Sequence, residues 1–147
     1  MIVYLDTSAF VKLIVDEDGT DEARLWFAEA QQAASSVVTY PEASAALGRR
    51  DRQEGPEEAR LRAWVAALDE RWRRTVAIPV VERPAGRLAL THRLRGMDAV
   101  KLAAAVRLRA GVLETAPATE VVFAAFDRRL LRAAEREGFA TLGGPLE

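Results

Sequence analysis

The sequence predicts an α/β fold around a mainly parallel sheet, and two observations carry that expectation. Short runs rich in β-branched and aromatic residues alternate with longer segments whose apolar residues recur every three or four positions, the pattern of successive strand–helix–strand units. The first run, Ile2-Val3-Tyr4-Leu5, stops abruptly at Asp6 and is followed by Thr7 and Ser8, which suits a buried strand handing over to a helix capped by one of these hydroxyls. Ligands of open α/β sheets gather beyond the carboxyl ends of the strands, so Asp6 stands where chemistry would be done. A plain helix cap explains Asp6 equally well.

Composition narrows the field. At 147 residues the chain is expected to form one domain, 1–147, large enough for a real core and without linker, repeat or low-complexity segment. Half of the residues are apolar and 29% are charged, which is globular composition and excludes a disordered chain. No stretch approaches the ~18 apolar residues of a spanning helix, and the N-terminal apolar run lacks a preceding basic segment, so a soluble cytoplasmic protein with no membrane contact is expected. Cysteine is absent and His92 is the only histidine, so a bound metal would rest on oxygen, which points to hard cations. The net charge of −1 excludes a general polycation for nucleic acid, while leaving local basic patches possible. Of the 21 basic residues only Lys12 and Lys101 are lysine, and arginine suits planar phosphate contacts.

The remaining elements follow in order. Phe10, Val11, Leu13, Ile14 and Val15 mark a short buried helix, and Thr20 caps a second, amphipathic one carrying Ala23, Trp26, Phe27 and Ala30. A strand is predicted over 35–39, with Val37 and Val38 at its centre. Pro41 and Glu42 open the next helix, Gly55-Pro56 ends it, and Leu61, Trp64, Val65, Leu68 and Trp72 stripe another. A third strand over 75–81 is pushed to an end or edge by Pro79. A helix over 82–94 is interrupted at Gly96, and the next begins near Asp98 with the small-residue face of Ala99, Leu102, Ala103 and Val106, capped by Gly111. A strand over 120–126 leads to Asp127 and a helix stopped by Gly138; a last short strand over 139–142 precedes a tail opening at Gly143-Gly144-Pro145.

Four acids therefore stand at strand-to-helix passages or helix starts: Asp6, Glu42, Asp98 and Asp127. Each is a reasonable cap or dipole partner by itself. If they converge, carboxylates ~5 Å apart repel by roughly 3 kcal/mol per pair at an effective dielectric of ~20, so the set needs protons or a divalent cation. With no cysteine and no histidine pair, Mg²⁺ or Mn²⁺ suits such a site, held by carboxylates and water and open to a phosphate.

Together, Ile2-Val3-Tyr4-Leu5-Asp6-Thr7-Ser8-Ala9, Glu42, Leu94-Arg95-Gly96-Met97-Asp98-Ala99 and Phe126-Asp127-Arg128-Arg129-Leu130-Leu131 resemble the PIN-domain nucleases, most closely the VapC toxins of type II toxin–antitoxin pairs. The resemblance covers almost the whole chain and lies in the order and spacing of the motifs. It implies a PIN-like three-layer α/β/α sandwich, Mg²⁺- or Mn²⁺-dependent endoribonuclease activity, a VapB-like antitoxin and a homodimer. It makes Asp6, Glu42 and Asp98 the core acids and Asp127 the fourth, more variable one, with Asp6 and Asp98 as direct metal ligands, Glu42 binding metal or orienting water, and Asp127 holding a second ion or its water shell. Two departures stand out. Relatives often place Ser or Thr just before the last acid where this chain has Ala125 and Phe126, and many have histidine where it has Lys101, one turn beyond Asp98. Neither removes a carboxylate, so activity is expected to survive.

Rival classes fit less well. An aspartate-nucleophile phosphatase wants a second acid two residues after the first, where Ser8 stands, and a receiver-like module wants adjacent acids near the first strand's end. A non-toxin PIN nuclease of RNA processing, or a silent PIN-fold binding module, are the alternatives within the fold; retention of all four acids argues against the silent one. Arg49, Arg50, Arg95 and Arg128 lie near the acids in sequence and are candidates for gripping RNA phosphates, against the plainer expectation of solvated or ion-paired side chains. Thr7 and Ser8 are candidates for supporting Asp6, with N-capping as the simpler account, and Trp26, Phe27, Trp64 and Trp72 are expected mainly in the core.

Overall fold

A computed structural model describes residues 1–144 as five strands and seven helices. The strands are β1 (Ile2–Leu5), β2 (Gln32–Ser36), β3 (Thr75–Ile78), β4 (Val121–Ala125) and β5 (Ala140–Gly143). The helices are α1 (Thr7–Lys12), α2 (Thr20–Glu29), α3 (Thr39–Gln53), α4 (Glu58–Arg73), α5 (Glu82–His92), α6 (Gly96–Thr115) and α7 (Arg128–Arg136). All five strands are parallel, in the order β3-β2-β1-β4-β5, so their carboxyl ends share one edge and β1 lies at the centre.

Alternation along the strands produces the layers. Tyr4, Ala34 and Phe123 face a core completed by Leu94, Leu102 and Ala105 of the α5–α6 side and by Leu130 and Ala134 of α7. Val3, Leu5 and Ala33 face the opposite core, filled by Phe10 and Leu13, Ala23 and Phe27, Ala43 and Leu47, and Leu68. Helices α5, α6 and α7 thus cover one face and α1 to α4 the other, the three-layer α/β/α sandwich expected. Two covered faces explain why the central strands are buried on both sides. Among the described residues no helix is long and apolar enough to cross a membrane. The aromatic pair of α2 belongs to the core: Phe27 is buried and Trp26 stacks on Phe126 at 5.4 Å.

Several boundaries differ from the sequence expectation: Gly19 and not Thr20 is the N-cap of α2, α3 starts at Thr39 ahead of Pro41, α5 ends at His92, and β5 covers Ala140–Gly143. The second strand is Gln32–Ser36, and Val37 and Val38 form the turn into α3. Strand propensity favoured the valines, but the position between β1 and β3, under helices on both faces, takes the small residues Ala33, Ala34, Ser35 and Ser36. Strand β3 stops at Ile78, just before Pro79, and occupies the sheet edge as that proline suggested. Helix α6 runs past Gly111 to Thr115 and yields only before Pro117, which disfavours helical backbone at Ala116. Finally, Asp6 itself, rather than Thr7 or Ser8, is the N-cap of α1. Gly138 does end α7, with φ of 88°. The tail expected to open at Gly143 starts later, since Gly143 ends β5, and its Pro145 lies outside the described residues.

One hydrogen bond fixes α6 over the sheet. The fully buried Tyr4 hydroxyl donates to the Lys101 carbonyl at 2.6 Å, and burial, reinforced by the negative charge of Asp6, pushes its pKa well above the ordinary tyrosine value. Tyr4→Phe is expected to lower stability by ~1 kcal/mol and Tm by ~2–4 °C with the fold retained, measured by thermal melting.

Candidate active site

Because the sheet is parallel, the end of β1 and the first turns of α3 and α6 meet at one edge. Asp6 follows β1, its amide donating to the Ala124 carbonyl at 2.9 Å, which pins it against β4. Its Oδ2 accepts from the Ser8 amide at 3.1 Å and from Ser8 Oγ at 2.7 Å. Ser8 Oγ in turn accepts from the Phe126 amide at 2.9 Å. Thr7 Oγ1 turns the other way and donates to Glu42 Oε1 at 2.6 Å. Both hydroxyls support acids instead of capping α1, and Ser8 supplies from α1 the hydroxyl link that Ala125 and Phe126 lack.

Three of the four acids converge on one cation. Lys101 Nζ lies 3.0 Å from Asp6 Oδ1, 3.2 Å from Glu42 Oε1 and 3.4 Å from Asp98 Oδ1. The Asp6 and Lys101 side chains are only 4% and 7% exposed, while Glu42 and Asp98, at 30% and 24%, reach toward solvent. Each such pair is worth about 5 kcal/mol at an effective dielectric of ~20, against several kcal/mol for desolvating each ion. One ammonium shared by three carboxylates offsets a burial that none would sustain alone. Burial by itself would lower the Lys101 pKa, but Asp6, then Glu42 and Asp98, hold it well above the ordinary lysine value. Glu42 and Asp98 also sit in the first turns of α3 and α6, where the helix dipole favours negative charge.

Asp127 stands beside this group instead of within it. It is exposed and caps α7, its Oδ1 accepting from the Leu130 amide at 2.9 Å, yet its charge reaches Asp98. Burial, opposed by Lys101 and reinforced by Asp6 and Asp127, raises the Asp98 pKa.

The donor set suits a hard divalent cation. Asp6 Oδ1 is buried without a hydrogen-bond donor, because Lys101 contacts it off the bonding direction. Even so, among the described residues no three acidic, cysteine or histidine side chains are preassembled around a metal-sized gap, since the ammonium stands where their oxygens meet.

A buried acid at the end of the central strand, joined by acids from two helix starts, prompts comparison with known proteins. The PIN domain family model matches residues 3–136. The chain belongs to the PIN-domain family. Ribonuclease VapC45 of Mycobacterium tuberculosis strain CDC 1551 and Ribonuclease VapC49 of strain H37Rv are each 36% identical to it over 140 residues, covering 93% of this chain and 92% of theirs. The crystal structure of PAE2754 from Pyrobaculum aerophilum superposes with a TM-score of 0.62 at 20% identity, over 96% of this chain and 83% of the other, which shows a shared PIN fold.

On this PIN domain the candidate arginines separate. Arg50 is engaged with Glu17 at 2.5 Å and Glu54 at 2.6 Å, as the plainer expectation had it. Arg128 lines a cavity of about 550 Å³ with Arg93, Arg129, Arg132, Arg136 and His92. Among the described residues none of those five arginines is in an ion pair. The groove runs along α7 from beside Asp127. His92 forms one wall, its Nε2 3.0 Å from Glu137 Oε2, and is a structural link between α5 and the end of α7. Sequence reasoning noted Lys101 but assigned it no role; its three-residue offset from Asp98, which puts both on one helix face, was the available signal.

Ionising Asp98 costs stability as pH rises from the ordinary carboxylate value through its raised one, and protonation removes that cost. Metal-free Asp98→Asn is therefore expected to melt at or above the wild-type temperature at neutral pH, the gap closing on acidification below the ordinary carboxylate range. A large loss of stability at neutral pH would make Asp98 a structural cap.

Proposed function

We propose that the chain is a single-domain, divalent-metal-dependent endoribonuclease toxin that hydrolyses RNA phosphodiester bonds. The observation that carries this reading is the convergence of Asp6, Glu42 and Asp98 at the carboxyl edge of the sheet, in a PIN domain related to ribonucleases over nearly its whole length. When bound, Mg²⁺ or Mn²⁺ supplies an acidified water and neutralises charge on the phosphate. Asp6 and Asp98 are the residues that would hold it, and Asp127 a second ion or its waters.

The protein's own groups divide the remaining work. Ser8 keeps the Asp6 carboxylate at a fixed rotation and ties it to the end of β4. Thr7 holds one Glu42 oxygen, leaving the half-exposed carboxylate to orient water toward the phosphorus. Water gives up a proton to solvent as its oxygen bonds to phosphorus and the bond to one ribose oxygen breaks, and that oxygen leaves with a proton from solvent. The arginine-lined groove beside Asp127 supplies a path for flanking phosphates, since unpaired guanidiniums bind phosphate oxygens without reading bases. Kinship with VapC proteins supports a VapB-like antitoxin and a homodimer as the further partners.

Purified protein is expected to cleave RNA with Mg²⁺ or Mn²⁺ and to stop on chelation. Asp6→Asn should cut the rate by more than the ~10–100-fold typical of outer-shell partners, and Mg²⁺ should raise its Tm less than that of the wild type. Equal metal-induced shifts would remove Asp6 from the metal site. For the groove, Arg132→Glu with Arg136→Glu, placed in the Asp98→Asn background to prevent cleavage, should weaken RNA binding. The log–log salt slope should flatten by ~1.4 for two lost phosphate contacts, whereas an unchanged slope places the RNA elsewhere.

A further inference from the structure

The acid cluster already holds a cation of its own. Lys101 Nζ touches one oxygen from each of Asp6, Glu42 and Asp98, the same side chains that would surround a metal, and an ammonium and a divalent ion seated together on those oxygens repel each other strongly. We propose that Lys101 is a resident competitor for the metal: its ammonium neutralises the three acids in the metal-free protein and has to leave them before a divalent cation binds. The inference rests on the metal-dependent reading above and adds regulation to it, because the seated ammonium lowers the apparent metal affinity and so raises the free metal concentration needed to load the site.

Three features of the site support the competitor role. The buried Asp6 Oδ1 has the Lys101 ammonium, 3.0 Å away, as its facing cation, so a metal seated on that oxygen takes the place the ammonium holds. The backbone of Lys101 is anchored through its carbonyl by Tyr4, which leaves the flexible four-carbon arm as the moving part. Glu42 and Asp98 are partly open to solvent, so the arm has a direction in which to withdraw.

The test is Mn²⁺ binding by calorimetry to the full chain without RNA, at one neutral pH, for wild type, Lys101→Met and Lys101→Arg. Lys101→Met is expected to bind Mn²⁺ ~10-fold tighter or more, to melt lower than wild type without metal and to regain that loss with Mn²⁺, while Lys101→Arg keeps an affinity near wild type. A purely structural lysine predicts the opposite order, and equal or weaker Mn²⁺ binding by Lys101→Met overturns the competitor role alone. Absence of Mn²⁺ binding in all three proteins overturns the metal-dependent reading itself, and the competitor role with it. Should Lys101→Met not fold without metal, a crystal structure of the wild type with Mn²⁺ decides: Nζ withdrawn from the three oxygens supports the proposal, and Nζ still in contact beside a seated ion overturns it.

Discussion

The confinement of negative charge at one edge of the sheet governs this structure. Asp6, Glu42 and Asp98 come from β1, α3 and α6, and they tolerate each other because one buried ammonium lies between them. Without that cation the pairwise repulsion would approach the marginal stability of a domain this size, ~5–15 kcal/mol. Much of the local architecture serves the arrangement: Tyr4 anchors the backbone of the lysine, Ser8 fixes the Asp6 carboxylate, and Thr7 holds Glu42.

The hydroxyl network shows how one structural need is met from a different place in the chain. PIN relatives often set a Ser or Thr just before the last acid, and here Phe126 stands there. Its amide donates to Ser8 Oγ, so the link between the end of β4 and Asp6 survives with its oxygen contributed from α1. The Phe126 side chain meanwhile stacks on Trp26 and carries Lys12 Nζ 4.9 Å above its ring, closing the wall of the site toward α2. A loss that looks like weakening in one motif is a rewiring in three dimensions.

The net charge of −1 conceals a division of sign. Acids gather at the sheet edge, and five arginines with no ion-pair partner among the described residues line the groove along α7. A polyanion is drawn to the second region and repelled by the first until a cation neutralises it. This juxtaposition suits an enzyme that grips a phosphate chain by its flanks and needs added positive charge to bring the reacting phosphate to the acids.

The sequence by itself determined the fold class, the alternation of strands and helices, and the four acids at the passages between them, because hydrophobic periodicity and capping chemistry are local. It misplaced β2, since Gln32 to Ser36 form a strand only through the partners on either side and the helices on both faces. It left Asp6 divided between cap and functional acid, and the structure makes it both, one carboxylate oxygen capping α1 and the other facing Lys101. Only tertiary structure decided that Lys101 belongs with three acids from different elements while Asp127 stands apart. A side chain's partners across the fold depend on how helices seat on the sheet, and that geometry is written in no single stretch of residues.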